Sequence, residues 1–195
     1  MRSDLLQPDV TLEEHAVLIE QRLEACSRRM QPEDLRALLG NAGRELVAVT
    51  VKCLEADSAS IWLMSGDRTR LIVSHVHPAN DSLMNRDQPL DKGLVSLVLR
   101  SEQPICENRV YEHRDHSKLT DESLGLTTCS MIAVPCYAGG VLRGVVSCVR
   151  VKSEPSAPDP REFDSADLAR MSRLSNALEQ ILNFRLLSGL LGLDL

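Results

Sequence analysis

The stretch that decides the fold is Ser130-Met-Ile-Ala-Val-Pro135, which is joined by Cys136-Tyr-Ala-Gly-Gly140 to Val141-Leu-Arg-Gly-Val-Val-Ser-Cys-Val149. Both apolar runs are rich in β-branched residues and are bounded by proline and glycine. The Gly-Gly pair between them can adopt positive φ without a steric penalty. We therefore predict a β-hairpin between Thr128 and Lys152.

The second strand of this hairpin is apolar on both faces. Alternation places Leu142, Val146 and Cys148 on one face, and Val145, Val149 and Val151 on the other. A strand that is apolar on both faces is covered on both faces. We expect helices to cover one side of the sheet, and we expect the second cover to hold the functional site.

Composition narrows the class of protein. The 195 residues are 43% hydrophobic and 26% charged, which is typical of a globular domain with some extra helical length. A net charge of -6 disfavours nucleic acid as a partner, because such a surface repels phosphate. We find neither a charged leader with an apolar segment nor a run of about 18 apolar residues, so we expect a cytoplasmic protein without a membrane partner.

The cysteines indicate a reducing environment. The chain has six, at Cys26, Cys53, Cys106, Cys129, Cys136 and Cys148, and no two of them form a C-x-x-C pair. Irregular spacing without a secretory leader is typical of reduced thiols that serve as small core residues.

Periodicity predicts the order of the remaining elements. We predict helices over Thr11–Met30 and Leu35–Leu54, a hairpin of Ser58–Met64 with Leu71–Val73, and a short helix over Asp91–Arg100. A brief strand at Pro104–Cys106 and a long polar loop over Glu107–Leu126 follow. A last helix begins at Asp164 and reaches at least Leu187.

Several short motifs in this order resemble those of the GAF domain, a small-molecule sensor module of cyclic-nucleotide phosphodiesterases, adenylate cyclases, bacterial sensor kinases and phytochromes. The motifs are Lys92-Gly-Leu-Val95 with Val98-Leu-Arg100, Ser130-Met-Ile-Ala-Val-Pro135, Gly144-Val-Val146, and Phe163-x-x-x-Asp167. The resemblance implies an α+β, PAS-related fold with a central antiparallel sheet, terminal helices on one face and a loop-lined pocket on the other. It divides the chain into a helical extension (1–31), a GAF domain (32–183) and a C-terminal tail (184–195).

The resemblance also implies where a ligand binds. Ligands of the family lie on the sheet face opposite the helices, beneath two segments that we call the lid, here Val76–Leu90 and Asn108–Leu126. The candidate ligand-binding residues on the strands and in the lid are Trp62, His75, Cys106, Asn108, Arg109, His113, Thr128, Ser130 and Ser147.

The identity of a ligand stays open. Members that bind cyclic nucleotides share an N-K…F-x-x-x-D-E signature, whereas this chain has Val151 before Lys152 and Leu168 after Asp167. The resemblance thus leaves Lys152, Phe163 and Asp167 as a structural clasp, in which Lys152 pairs with Asp167, and a cyclic nucleotide is disfavoured. Haem or another tetrapyrrole, held by His75-x-His77 and His113-x-x-His116, is favoured still less, and no metal is expected because no carboxylate or cysteine stands at a diagnostic spacing.

The sequence also offers residues for thiol catalysis and for binding an anion. One branch of the family reduces free methionine sulfoxide with cysteines, and Cys106, Cys129 and Cys136 flank the expected pocket. That branch carries a cysteine in the stretch matching Gly93–Ser96, where this chain has none. Arg109, Arg114 and Lys118 form a candidate clamp for an anion, but acidic residues share their loop.

The terminal helices carry more apolar residues than a small sheet can bury. Leu186, Leu187, Leu190, Leu191 and Leu193 extend beyond the family's motifs, which indicates a helical bundle with a second subunit. We therefore expect a non-catalytic regulatory module that binds an unknown small molecule and transmits through its terminal helices as a homodimer. A thiol-dependent enzyme and a pure dimerisation module are the alternatives.

Overall fold

The computed structural model describes residues 10–116, 119–154 and 156–193, apart from the side chains of residues 12, 119, 120 and 123. Its helices are α1 (Val10–Glu13), α2 (Ala16–Arg29), α3 (Leu35–Cys53), α4 (Leu94–Ser101), α5 (Leu119–Leu124) and α6 (Ser165–Leu190). Its strands are β1 (Ser58–Met64), β2 (Arg70–His77), β3 (Asp87–Pro89), β4 (Ile105–Glu107), β5 (Thr127–Ala138) and β6 (Val141–Lys152).

The strands form one antiparallel sheet in the order β3-β2-β1-β6-β5-β4. The predicted hairpin is confirmed, because β5 pairs with β6 along its length and the connecting Gly139 and Gly140 have φ of 56° and 70°. The hairpin contributes one central strand, β6, which lies between β1 and β5. The predicted α+β class with a central antiparallel sheet is thus confirmed.

One face of the sheet packs against α3 and α6. Val146 and Cys148 of β6 and Ile61 and Leu63 of β1 belong to this core, with helical residues such as Leu39. Burial of these aliphatic side chains supplies the main stabilisation of the fold, because removing apolar surface from water is the dominant favourable term.

The opposite face has a smaller core. Val145 of β6 packs there with Trp62 and Val73 of the sheet and with Val98 of α4. Leu142 also packs on this side rather than with Val146 as alternation predicts. The register of β5 and β6 explains the difference. Cys136 pairs with Gly144 and Tyr137 with Leu142, so β6 contains one extra residue, and the side chains that precede Gly144 lie on the opposite face from the one that alternation predicts.

Several boundaries differ from those predicted. The first predicted helix is divided into α1 and α2, and α3 is kinked at Gly40, which has φ of 56°. Helix α4 begins at Leu94 after Gly93 at φ 85°, and the long polar loop contains a 3₁₀ turn at Val110–Glu112 and the helix α5. Within the described ranges, none of the helices combines the length and the apolar character that spanning a membrane requires.

Candidate functional site

A cavity of about 330 Å³ lies on the sheet face opposite α3 and α6. Its floor is formed by β1, β5 and β6, and its roof by both segments of the lid. The lining residues are Asp57, Ser58, Ser60, Trp62, Val76, Pro78, Ala79, Asn80, Leu83, Leu94, Val95, His116, Asp121, Leu124, Leu126, Thr128, Met131, Ser147, Val149 and Val151. This volume falls at the small end of the range for small-molecule pockets, about 300–1,000 Å³.

The floor carries hydroxyl groups between apolar side chains. Ser60 of β1 and Ser147 of β6 are direct cross-strand partners, so both side chains lie on the cavity face. The indole Nε1 of Trp62 donates to Ser147 Oγ over 3.3 Å. Because side chains alternate along a strand, Ser58, Ser60 and Trp62 all face the cavity.

The carboxylate of Asp121 joins the second segment of the lid to the floor. Asp121 of α5 accepts hydrogen bonds from the Thr128 amide (2.8 Å) and the Thr128 hydroxyl (2.7 Å) of β5. The His116 Nε2 lies 3.1 Å from the same carboxylate, and the two side chains are only 8% and 11% exposed. Burial acts to raise the pKa of Asp121, but the hydrogen bonds from His116 and Thr128 outweigh it, so the pKa is lowered.

The walls are aliphatic, and the ionisable groups are mostly acidic. Asp57 and Asp121 both reach the cavity, and the described residues that line it include no lysine or arginine. Asp57 accepts a hydrogen bond from the backbone amide of Val151 over 2.8 Å. Val151 occupies the position at which members of the family that bind cyclic nucleotides are expected to carry asparagine. Asp57 thereby joins the start of β1 to the end of β6.

Of the predicted ligand-binding residues, Trp62, Thr128 and Ser147 line the cavity. His75 is placed near Arg36 and Arg44 of α3, and its buried Nε2 has no hydrogen-bond partner among the described residues. Burial, followed by the charges of His77 and the two arginines, lowers the pKa of His75.

The other predicted residues also lie outside the cavity lining. Asn108 donates to the Phe163 carbonyl and accepts its amide, each over 2.9 Å, so it fixes the chain that leads into α6. Cys106 Sγ lies 3.7 Å from the same carbonyl. Ser130 is buried, and His113 accepts the Asp115 amide over 3.2 Å.

The two described arginines of the expected anion clamp form ion pairs with neighbouring acidic residues. Arg109 pairs with Glu112 over 3.6 Å and Arg114 with Asp115 over 3.5 Å. Lys118 lies outside the described residues. The described arginines therefore form exposed local ion pairs rather than a clamp over the cavity.

The expected pairing of Lys152 with Asp167 does not form. Lys152 instead pairs with Asp159 over 2.7 Å, while Asp167 accepts from Arg161 (2.9 Å) and Arg170 (2.8 Å). The pairing differs because Asp167, which is fully buried, serves as the N3 residue of the capping box that starts α6.

Arg150, rather than Lys152, joins the end of β6 to the segments that flank α3 and α6, and the sequence did not predict this role. Its guanidinium donates to the carbonyls of Leu54, Glu55 (3.1 Å) and Arg161 (2.5 Å), and it stacks on Phe163 at 3.9 Å from the ring centroid. A charged residue between Val149 and Val151 in a buried strand was the available signal, because a buried arginine needs partners.

The other polar lining residues that the predicted set lacks are Asp57, Ser58, Ser60, Asn80 and Asp121, and His116 was expected only as a tetrapyrrole ligand. The two serines share the alternation of Trp62 along β1, so the period of the strand was sufficient to find them. His116 and Asp121 approach Thr128 only through the folding of a long loop, and spacing in the sequence carries no signal of that approach.

The thiols lie away from the cavity. None of the described lining residues is a cysteine, and all six cysteines are free. Burial, as the largest cause, raises the pKa of Cys106 and Cys129, and it raises the pKa of Cys136 to about 12. A nucleophilic thiolate requires the opposite shift. The part of the chain that the structure describes contains no cluster of three metal-binding side chains.

A family model for the GAF domain matches residues 33–183. The chain belongs to the GAF domain family. No curated protein gives a significant match to the chain.

Solved structures agree with this assignment. The GAF domain of a phosphoenolpyruvate-protein phosphotransferase from Coxiella burnetii is 18% identical, with a TM-score of 0.62 over 91% of this chain and 98% of that one. The GAF domain of a two-component sensor histidine kinase from Bacillus halodurans is 19% identical, with a TM-score of 0.54 over 75% and 97%. A free methionine-R-sulfoxide reductase from Neisseria meningitidis, in complex with its substrate, is 14% identical, with a TM-score of 0.57 over 93% and 96%. At these identities the likeness concerns the fold.

Proposed function

We propose that this GAF domain is a regulatory module that binds a small ligand in the cavity between β1, β5, β6 and the lid. The observation that carries the proposal is an aliphatic cavity with a hydroxyl-bearing floor and a roof that one carboxylate anchors. Ligand sites usually combine a mostly apolar wall with a few convergent polar groups. None of the described lining residues is a cysteine, which favours ligand binding over thiol chemistry in this cavity.

A ligand in this cavity would act on the lid and on the terminal helices. It would contact Leu124 and Leu126 in the roof and Ser147 and Val149 in the floor, so binding favours the closed lid. The opposite face of β6 packs on α6, and the chain that leads into α6 is held by Arg150. Changes at the floor can therefore bias the position of α6.

The terminal helices carry the proposed dimer interface. Val17 and Leu18 of α2 and Phe184 of α6 are 66%, 53% and 58% exposed, and Leu191, just after α6, is 59% exposed. Large apolar residues grouped on two neighbouring helices are typical of a surface that a second subunit covers. We propose a homodimer in which α2 and α6 of the two subunits form a bundle.

Native mass spectrometry of the purified protein tests the proposed ligand. We expect a copurified mass that is lost when Val149→Phe fills the cavity and that is kept when the exposed Val49 of α3 is changed in the same way. Emission of Trp62, the chain's single tryptophan, reports occupancy independently because its ring lines the cavity. A bare protein mass together with no change of Trp62 emission in a screen of small molecules would exclude ligand binding.

The same spectrum, with sedimentation analysis, tests the dimer. Leu18→Glu combined with Phe184→Glu should produce monomers, because each change buries a charge in the proposed bundle. Val49→Glu is the matched control, since Val49 is equally exposed but belongs to α3. A wild-type monomer at all accessible concentrations would contradict the dimer and leave ligand binding unaffected.

A further inference from the structure

The ionisable groups that line the cavity define which ligand charge it accepts. Asp57 and Asp121 are carboxylates, and no lining residue in the described ranges carries a fixed positive charge. Both oxygens of Asp121 are already engaged by Thr128 and His116. Asp57 uses Oδ2 for the Val151 amide, and no bond to a described residue occupies its Oδ1.

The floor offers hydrogen-bond donors. Ser147 Oγ accepts from Trp62, which leaves the Ser147 hydroxyl proton free to donate into the cavity. The hydroxyls of Ser58 and Ser60 make no hydrogen bond to another described residue. These groups can satisfy a carbonyl, ether or hydroxyl oxygen of a ligand, and a buried oxygen without such a partner would be costly.

We propose that the ligand has an apolar body and a head group that is either cationic or uncharged with at least one hydrogen-bond acceptor, and that the cavity discriminates against anions. The proposal rests on the proposed function and names the ligand class of that site. An anionic head group would meet the exposed Asp57 carboxylate at the mouth of the cavity and the buried Asp121 carboxylate, which His116 contacts, in its roof. Repulsion between like charges opposes such a ligand, most strongly at low ionic strength. A cationic head group would instead find the free oxygen of Asp57 at the mouth of the cavity and the Trp62 ring within it.

A matched probe series tests the charge preference. 2-Phenylethylamine, 2-phenylethanol and 3-phenylpropionate share the same apolar body and differ in the head group. We expect 3-phenylpropionate to bind at least about tenfold more weakly than 2-phenylethylamine, measured by Trp62 emission at low ionic strength. Asp57→Asn should narrow this ratio, because asparagine keeps an oxygen for the Val151 amide and removes the charge. Asp57→Lys should make 3-phenylpropionate bind more tightly than 2-phenylethylamine.

Glu45→Gln is the control for a general change of surface charge, since Glu45 is exposed on α3 behind the opposite face of the sheet. This variant should leave the ratio unchanged. Equal or tighter binding of 3-phenylpropionate, or a ratio that Asp57→Lys does not alter, would overturn the ligand class while leaving ligand binding itself intact.

If none of the three probes binds, the charge of a copurified ligand tests the proposed ligand class. If native mass spectrometry reveals one, a neutral or cationic ligand supports the proposal and an anionic one overturns it. If neither a probe nor a copurified ligand occupies the cavity, the proposed function fails and the ligand class fails with it.

Discussion

Replacing Asp121 by alanine should release the lid from the sheet without unfolding the domain. The carboxylate accepts the amide and the hydroxyl of Thr128 over 2.8 and 2.7 Å, and it contacts His116 at 3.1 Å. Alanine removes all of these contacts at once. Because α5 packs on β5 at one end of the cavity, and none of its described side chains belongs to the core beneath α3 and α6, the loss should remain local.

The expected magnitude follows from the two bonds to Thr128. A hydrogen bond to a charged acceptor contributes about 1.5–3 kcal/mol, so the two together contribute about 3–6 kcal/mol to the closed lid. Since about 1.4 kcal/mol corresponds to a factor of ten, opening should become about 10² to 10⁴ times more frequent. The Leu126 amide donates to the Asp121 backbone carbonyl over 3.1 Å and keeps this acceptor in Asp121→Ala, so its hydrogen exchange, measured by NMR, reports the opening of the α5 end of the lid.

Graded variants separate the contributions. Thr128→Val keeps the amide bond and removes only the hydroxyl bond, so its effect on amide exchange should be smaller than that of Asp121→Ala. His116→Gln removes the third contact and keeps both bonds to Thr128. Less than about fivefold acceleration of Leu126 amide exchange in Asp121→Ala, with the fold intact, would refute the assignment of Asp121 as the anchor of the lid.

Three other predictions concern stability. Gly144→Ala should destabilise the domain by at least about 3 kcal/mol in urea unfolding, because the added Cβ would lie 1.8 Å from the Trp62 carbonyl oxygen. Gly189→Ala, which meets no atom within 4 Å in helix α6, should stabilise the domain by up to about 1 kcal/mol. A Gly144→Ala variant as stable as the parent would contradict the close packing of β6 on β1. The lowered pKa of His75 predicts that stability falls as the pH decreases from 6.5 towards that pKa, since the unfolded chain takes up the proton first. This pH-dependent part should disappear in His75→Gln and persist in His77→Gln, as measured by unfolding midpoints; persistence in both would contradict the burial of His75.

The sequence was informative wherever the chain is locally periodic. Alternation in β6 and the Gly139-Gly140 pair predicted the hairpin and its two covered faces, and both are present. The same alternation would have assigned Ser60 to the cavity with Trp62. It was misleading for Leu142, because an unpredicted extra residue in β6 changes the face on which the side chains lie.

The sequence was uninformative wherever contacts depend on how long loops return to the sheet. Asp121 meets Thr128 because α5 folds back over β5, and Lys152 meets Asp159 rather than Asp167. Arg150 finds its carbonyl partners on segments that are 11 to 96 residues away in the chain. Such partners are set by tertiary packing, and residue spacing does not encode them.

The alternation of β6 also defines a route by which the cavity can influence the helices. Ser147 and Val149 face the cavity, and the next residue, Arg150, is buried among the ends of other elements. Its guanidinium holds the carbonyls of Leu54, just after α3, and of Arg161, just before α6. Under the proposed function, a ligand that shifts the floor would also shift a buried charge whose partners, Leu54 and Arg161, lie beside the two helices. Because a buried guanidinium cannot leave its acceptors without a large desolvation cost, the helix ends would follow β6 rather than separate from it.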